Sequence, residues 1–290
     1  MKWLVTGAAG MLGLDTVEEL LRRGEDVVGL ARAALDITDP DDVRRVFTAH
    51  EPDLVVNCAA YTAVDDAETD EDTALRINGV GPRLLAQACA EHGARLIHVS
   101  TDYVFDGEAR DTPYPEDHTP APRTAYGRTK LTGEQAVLAT LPDTSVVLRT
   151  AWLYGAHGGN FVRTMIDLEA RRDTLDVVDD QRGQPTWSAD VAVRIADLGP
   201  LIGPGTNGVL HATNSGEVTW FELAREVFRL IDADPDRVRP TTSAAFTRPA
   251  PRPAYSALGH GRWQQTGLGP LRDWRTALHE ALPHIRKEIS

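Results

Sequence analysis

Two side chains four residues apart make the first chemical suggestion in this chain: Tyr126 and Lys130, in Tyr126-Gly127-Arg128-Thr129-Lys130. They stand at the start of a predicted helix, just after the proline-rich run 112–122. On a helix, residues at this spacing share a face, so the phenol and the ammonium can serve one small volume. A phenol with an ordinary pKa of about 10 is a poor acid or base at neutral pH. A cation beside it stabilises the phenolate and lowers that pKa toward the working range. Lysine is also scarce, with Lys2, Lys130 and Lys287 the only three among 30 basic residues. A lysine at this position therefore suggests a specific need.

Such a pair needs a scaffold and a reaction partner. Residues 2–6 read as a short buried strand, followed at once by Gly7, Gly10 and Gly13 in the spacing G-x-x-G-x-x-G and then by a helical pattern to Arg23. The first glycine permits a tight turn and the second a close backbone approach to a pyrophosphate. The third lets helix and sheet pack closely, and the helix N-terminus offers free N–H groups to the anion. This placement predicts dinucleotide binding at Gly7, Gly10, Met11 and Leu12. The second strand, residues 26–30, ends in Gly29-Leu30-Ala31-Arg32. It has an arginine where an NAD site carries an acid. A guanidinium suits a 2′-phosphate, so NADPH is expected ahead of NADH, with Asp36 and Ile37 near the adenine.

Further strands at 54–58, 95–100 and 145–149 alternate with helices at 39–50, 72–92 and 126 onward. Their near-continuous apolar runs predict an α/β fold, a doubly wound parallel sheet of Rossmann type, with a smaller interleaved C-terminal substrate domain. The expected division is 1–155 with 186–213 for the cofactor, and 156–185 with 214–290 for the substrate. Helices are predicted near 160–171, 188–198, 219–231 and 274–285, strands near 175–178 and 208–212, and a surface loop over 240–253.

Composition narrows the partners. The chain has 290 residues, 42% hydrophobic and 25% charged, and a formal net charge of −13. That charge opposes nucleic acid or an anionic membrane as the partner. An anionic small molecule would then need local arginines. Cys58 and Cys89 have no metal-ligand spacing and are predicted to be reduced core thiols of a cytoplasmic protein. The apolar N-terminal start is broken by the glycines and by Asp15, Glu18 and Glu19, so it does not read as a signal peptide.

The G-x-x-G-x-x-G and Y-x-x-x-K patterns together resemble the short-chain dehydrogenase/reductase superfamily. More specific are Leu35-Asp-Ile-Thr-Asp39, Asn57-Cys-Ala-Ala-Tyr-Thr-Ala-Val-Asp65 and Ser100-Thr-Asp-Tyr-Val-Phe105. To these are added Arg149-Thr-Ala-Trp-Leu-Tyr-Gly155 and Asp180-Gln-Arg-Gly-Gln-Pro-Thr186. In this order, and nearly end to end, they resemble the dTDP-4-dehydrorhamnose reductase family.

The resemblance implies a reductase in which Tyr126 gives a proton to a C4 carbonyl oxygen while NADPH delivers hydride. Lys130 would hold the nicotinamide ribose and lower the Tyr126 pKa, and Thr101 would hydrogen-bond the same oxygen. Ala59, Ala60 and Tyr61 would line the cofactor, with Asn78 beneath the site. Asp102 and Trp152 would meet the sugar, Trp152 covering its ring. Asn160, Phe161, Gln181, Arg182 and the loop of Arg248 and Arg252 would hold the nucleotide diphosphate. The partner is thus a nucleotide-sugar, and the protein a monomer or homodimer. Some family members join subunits through a metal on acidic side chains. Asp15 could offer one ligand, but Ala189 stands where a glutamate would be needed, so no metal is expected. Two other readings remain open: a reductase of a related dTDP-keto-sugar, such as a dTDP-dihydrostreptose synthase, and a non-catalytic NADP-binding regulatory subunit.

Overall fold

The structure is a computed structural model that describes residues 1–288. Its first half alternates strand and helix: β1 (Lys2–Thr6), α1 (Met11–Arg22), β2 (Asp26–Leu30), α2 (Pro40–His50) and β3 (Leu54–Asn57). Two short helices follow, α3 (Val64–Ala67) and α4 (Glu71–Leu75). A π-helical turn over Arg76–Val80 then leads into α5 (Gly81–His92), β4 (Arg95–Thr101), α6 (Ala125–Thr140) and β5 (Ser145–Thr150). The expected helix over 72–92 is thus one path with a widened turn in it, a feature often found beside functional sites.

The second half begins with β6 (Leu153–Tyr154), α7 (Phe161–Glu169), β7 (Leu175–Val178), β8 (Arg182–Gly183) and β9 (Thr186–Trp187). It continues with α8 (Ser188–Leu198), β10 (Gly208–His211), β11 (Asn214–Ser215), β12 (Val218–Thr219) and α9 (Trp220–Leu230). The chain closes through β13 (Val238–Thr241), α10 (Trp263–Thr266), β14 (Leu271–Asp273) and α11 (Trp274–Lys287). The expected surface loop over 240–253 therefore starts inside a strand. Pro240 pairs with Val177 in the two-stranded sheet β13–β7, an edge where a residue without N–H is tolerated.

The main sheet has the order β10-β5-β4-β3-β1-β2, and its pairings are all parallel. Strand β1 shows why helices cover both faces. Trp3 and Val5 enter one core with Leu12 and Leu20 of α1 and Val191 and Ile195 of α8. Leu4 enters the opposite core with Phe47 of α2, Leu85 of α5 and Val137 of α6. Alternate residues along a strand face opposite sides, so every position of a doubly covered strand is apolar. A third core gathers Val162, Leu175, Val227, Phe228, Leu278 and Ile285 from α7, β7, α9 and α11. Among the described residues, no helix is long and apolar enough to cross a membrane.

The order of strands reverses between β1 and β3, so their carboxyl ends open a crevice where such sheets bind ligands. Asn57 fixes this point, accepting from the Thr6 hydroxyl at 2.6 Å and the Ala59 amide at 3.1 Å and meeting His98 Nδ1 at 3.0 Å. Gly7 is required here twice over. Its φ is +65°, and a Cβ would lie 2.6 Å from the Ala59 nitrogen. Helix α6 reaches the crevice by comparably close approach. A Cβ on Gly127 would lie 2.1 Å from the Tyr103 carbonyl oxygen, and one on Gly133 would lie 2.1 Å from that of Asn78. Gly133→Ala should therefore destabilise the fold by about 1–3 kcal/mol in urea unfolding. Gly159→Ala, with nothing within 4 Å of its Cβ, should stay within about 0.5 kcal/mol of the parent.

Candidate active site

One cavity of about 1450 Å³ opens at the carboxyl ends of β1, β3 and β4 and runs into the second half of the chain. Gly7, Gly10, Met11, Leu12, Arg32, Asp36, Ile37, Ala59 and Ala60 line one end. Thr101, Asp102, Tyr126 and Lys130 line the middle, and Trp152, Phe161, Gln181, Arg248 and Arg252 the other end. Four expected residues do not line it. Tyr61 and Asn78 bond to each other instead: Asn78 accepts from the Tyr61 amide at 2.8 Å and donates to its carbonyl at 3.1 Å and to the Thr129 hydroxyl at 3.2 Å. That polar capacity is filled by protein, so Asn78 pins the strand-end loop to α6. Asn160 caps α7, accepting from the Arg163 amide and donating to the Gly155 carbonyl. Arg182 pairs with Glu222 at 3.8 Å.

The cofactor end is basic. Arg32 and Arg76 both line it, and both bear on Asp36. The Asp36 carboxyl sits below its ordinary range because it accepts from the Thr38 amide and hydroxyl; burial opposes this, and the two guanidiniums add to it. Arg76, at the start of the π-helical turn, escaped the sequence reading. Its only signal was a basic residue opening the run Arg76-Ile77-Asn78. Gly10 differs from its neighbours in the loop: a Cβ there would meet only the Gly7 carbonyl oxygen, at 3.3 Å. Gly10 also lines the cavity.

Tyr126 is placed by its helix start, where the Thr124 side chain accepts from the Gly127 amide. Thr101 ends β4, and its hydroxyl is hydrogen-bonded with the phenol. The same hydroxyl meets Asp102 Oδ1 at 2.9 Å and accepts from the Tyr103 amide at 3.2 Å. Lys130 shares the Tyr126 face as expected, but its ammonium donates to the Val99 carbonyl at 2.7 Å. One expectation is reversed. Burial pushes the phenol above its ordinary pKa, the Thr101 bond opposing and the Asp102 charge adding. In this structure Tyr126 is a protonated phenol, the form a proton donor must start from.

Burial also acts on Lys130, lowering it to about 8, while Glu134 opposes the shift. Glu134 in turn is held by Arg149 through two bonds of 2.9 and 2.6 Å, with both side chains buried. Burial pushes the Cys58 thiol up to about 12, and both cysteines are free.

The other end is aromatic and cationic. Trp152 adopts φ +48°, a left-handed conformation unusual outside glycine. Its ring stacks on Trp220 at 3.5 Å and 8°, and Trp220 meets Phe161 at 4.5 Å. Gly183 lies so close that a Cβ would fall 2.5 Å from the indole. One face of Trp152 is thus taken by protein, leaving less of the ring to cover a sugar than the sequence suggested. Trp220 was missed because it reads as an ordinary apolar residue at a helix start. Across the cavity, Arg252 pairs with Asp65 at 2.7 Å and Arg248 with the same carboxylate at 3.5 Å. Gln181 donates to Ser243 at 2.8 Å. Away from the cavity, Asp15, Glu18 and His157 bring ligand atoms within 4.8 Å of one another. Ala189 is part-buried against the third core and adds no carboxylate.

The family model described as RmlD substrate binding domain matches residues 1–287. A probable dTDP-4,6-dihydroxy-2-methyloxan-3-one 4-ketoreductase from Streptomyces antibioticus is 63% identical, covering 98% of this chain and 96% of that protein. A dTDP-4-dehydrorhamnose reductase from Streptomyces griseus is 58% identical, covering 98% of this chain and 94% of its own length. The crystal structure of dTDP-4-dehydrorhamnose reductase from Bacillus anthracis, in complex with NADP, matches with a TM-score of 0.91 at 38% identity. That match covers 97% of this chain and 98% of that one. With relatives this similar over nearly their whole length, and with the crevice, glycine loop and Tyr126–Lys130 pair in place, the chain belongs to the dTDP-4-dehydrorhamnose reductase family.

Proposed function

We propose that the protein reduces the C4 ketone of a dTDP-4-keto-6-deoxy sugar with NADPH, taking dTDP-4-dehydrorhamnose to dTDP-L-rhamnose. The observation that carries this reading is the meeting of three groups in one cavity: a protonated Tyr126, the Gly7–Gly10 loop and an arginine pair, Arg32 and Arg76. The names of the two Streptomyces relatives share the dTDP sugar and its keto reduction, and the Bacillus anthracis structure holds NADP. In this proposal residues 1–155 with 186–213 hold the cofactor, and 156–185 with 214–290 the substrate. The protein works in the cytoplasm as a monomer or homodimer.

The amides of the Gly7–Leu12 turn, at the N-terminus of α1, would hold the pyrophosphate of NADPH. Arg32 and Arg76 would hold its 2′-phosphate, since a guanidinium fork suits phosphate oxygens. The cofactor supplies a hydride when bound. Tyr126 gives its proton to the ketone oxygen, and Thr101 hydrogen-bonds the same oxygen as charge develops there. Lys130 holds the nicotinamide ribose and stabilises the phenolate left behind. Trp152, backed by Trp220, walls the sugar, and Arg252 and Arg248 face its diphosphate with Phe161 and Gln181 beside them.

NADPH oxidation with a panel of dTDP-4-keto sugars tests the activity. Turnover of dTDP-4-dehydrorhamnose to dTDP-L-rhamnose at the highest kcat/KM is expected. Preference for another keto sugar would reassign the substrate, and no oxidation with NADPH still bound would favour the regulatory-subunit reading. Tyr126→Phe should bind NADPH normally and lose about 10²–10⁴ in kcat; near-parental turnover would sink the mechanism. Arg32→Ala should weaken NADPH binding about tenfold and leave NADH binding unchanged, as read by fluorescence titration. An equal loss for both cofactors would remove Arg32 from the 2′-phosphate. The Lys130 ammonium is present below about pH 8 and lost above it, so kcat/KM should fall as pH rises through that value.

A further inference from the structure

Ketone reduction leaves a problem that the site must solve each cycle. Once Tyr126 has given up its proton, a phenolate remains on a side chain only 9% exposed. Burial disfavours that charge, and bulk water has little access to remove it. Next to it stands a second buried acid, Asp102, whose Oδ1 is bonded to the Thr101 hydroxyl. Asp102 is 4% exposed, lines the cavity, and its Oδ2 makes no hydrogen bond among the described residues. An unsatisfied buried carboxylate oxygen is costly and calls for an explanation.

We propose that Asp102 supplies the proton that returns Tyr126 to its acid form after each turnover, passing it through the hydroxyl of Thr101, an inference that rests on the reductase reading above. The hydrogen-bond inventory of Thr101 fits this task. A hydroxyl has one proton to give and two lone pairs to accept with. The Tyr103 amide takes one lone pair at 3.2 Å, and the single O–H donates to Asp102 Oδ1 at 2.9 Å. The second lone pair is then open to the phenol of Tyr126, with which Thr101 is hydrogen-bonded. Hydrogen-bond direction in such a chain reverses without moving heavy atoms. With Asp102 ionised the chain runs from Tyr126 through Thr101 to Asp102, and with Asp102 protonated it runs the other way.

The surroundings of Asp102 suit a proton donor near neutral pH. Thr101 faces it from β4, Tyr126 from α6, Tyr103 from its own turn and Ser256 from the C-terminal loop. Arg252 and Asp65 act on the adjoining Tyr103. Burial pushes the carboxyl up to about 6, with Thr101, Ser256 and the backbone amides of Asp102 and Tyr103 opposing. The cycle balances without another reactant. Hydride passes from NADPH to the keto carbon, and the Tyr126 O–H proton passes to the keto oxygen, giving an alcohol and a phenolate. The alcohol oxygen, now protonated, no longer needs the Thr101 O–H, and Thr101 then gives its proton to the phenolate while taking one from the Asp102 carboxyl. Phenol and hydroxyl are restored, and the Asp102 carboxylate regains its proton from water as product leaves.

Stopped-flow NADPH oxidation, compared between first turnover and steady state, separates this role from substrate binding. The acid form of Asp102 is plentiful below about pH 6 and scarce above it. In the parent enzyme, a burst approaching one NADPH per chain should emerge as pH rises through that value. Deuterated solvent should slow the steady state more than the burst. Asp102→Asn should show the burst at every pH, with a steady state about tenfold or more below its own first turnover. A parental profile in that variant, or a loss confined to KM for the sugar, would overturn the relay and make Asp102 a substrate contact. Should the variant fail to fold, the parent's pH and isotope dependence decides alone: no burst, or a burst without inflection, rejects the proposal. If the parent oxidises no NADPH with any keto sugar, the reductase reading itself fails and the relay with it.

Discussion

The ammonium of Lys130, 2% exposed, joins β4 to α6 through the Val99 carbonyl. A lone ammonium in such a place would be expensive. Helix α6 answers with Glu134 one turn later, and Glu134 is gripped in turn by Arg149 on β5. Two cations and one anion leave one positive charge inside the protein, near the carboxyl ends of β4 and β5, which the buried Asp102 carboxylate offsets when ionised. While Asp102 is protonated, that charge favours anions nearby, whether a cofactor phosphate or a phenolate formed during reaction. The fold brings this about by packing rather than by surface charge. The chain is strongly acidic overall, so attraction for an anionic ligand must be local.

The same dependence explains why α6 is so closely seated. Tyr126, Gly127, Lys130, Gly133 and Glu134 fall on its buried side, and the two glycines let the helix backbone touch the carbonyls of Tyr103 and Asn78. Any side chain at either glycine would push the helix outward, and Tyr126 would leave the hydroxyl of Thr101. The glycine within the Tyr126–Lys130 motif is therefore a distance requirement. Catalytic geometry here is fixed by how near a helix can come to a strand end.

Much of this was legible in the sequence. The parallel strands announced themselves as apolar runs, and the glycine loop as a turn between strand and helix. The Tyr126–Lys130 pair could be read because its geometry is local to one helix. What escaped depends on long-range contact. Arg76 joins Arg32 only because the folded chain brings both to one end of the cavity, beside Asp36, and Asp65 meets Arg252 across 187 positions of chain. Asn78 was ambiguous for a related reason. A polar residue within a helix could serve ligand or protein, and only the folded chain shows its bonds going to Tyr61 and Thr129. The upward shift of Tyr126 was also out of reach, since it follows from burial and not from spacing.

The substrate end is organised by a similar balance of cost against recognition. Trp152 holds a left-handed backbone that costs on the order of 1–3 kcal/mol, and the Trp220 stack and the narrow space beside Gly183 keep it there. On the opposite wall, Arg248 and Arg252 share the single carboxylate of Asp65, which sits below its ordinary range: burial opposes that shift, and Arg252 above all outweighs it. Two guanidiniums on one acid keep a net positive charge while their positions are fixed before any ligand arrives. A diphosphate bound as proposed, between this wall and the Trp152 stack, would meet donors already in place, and less ordering entropy would be lost on binding. In the proposed reaction the rigid aromatic wall and the anchored arginines would hold the sugar from both ends, leaving its ketone to face Tyr126.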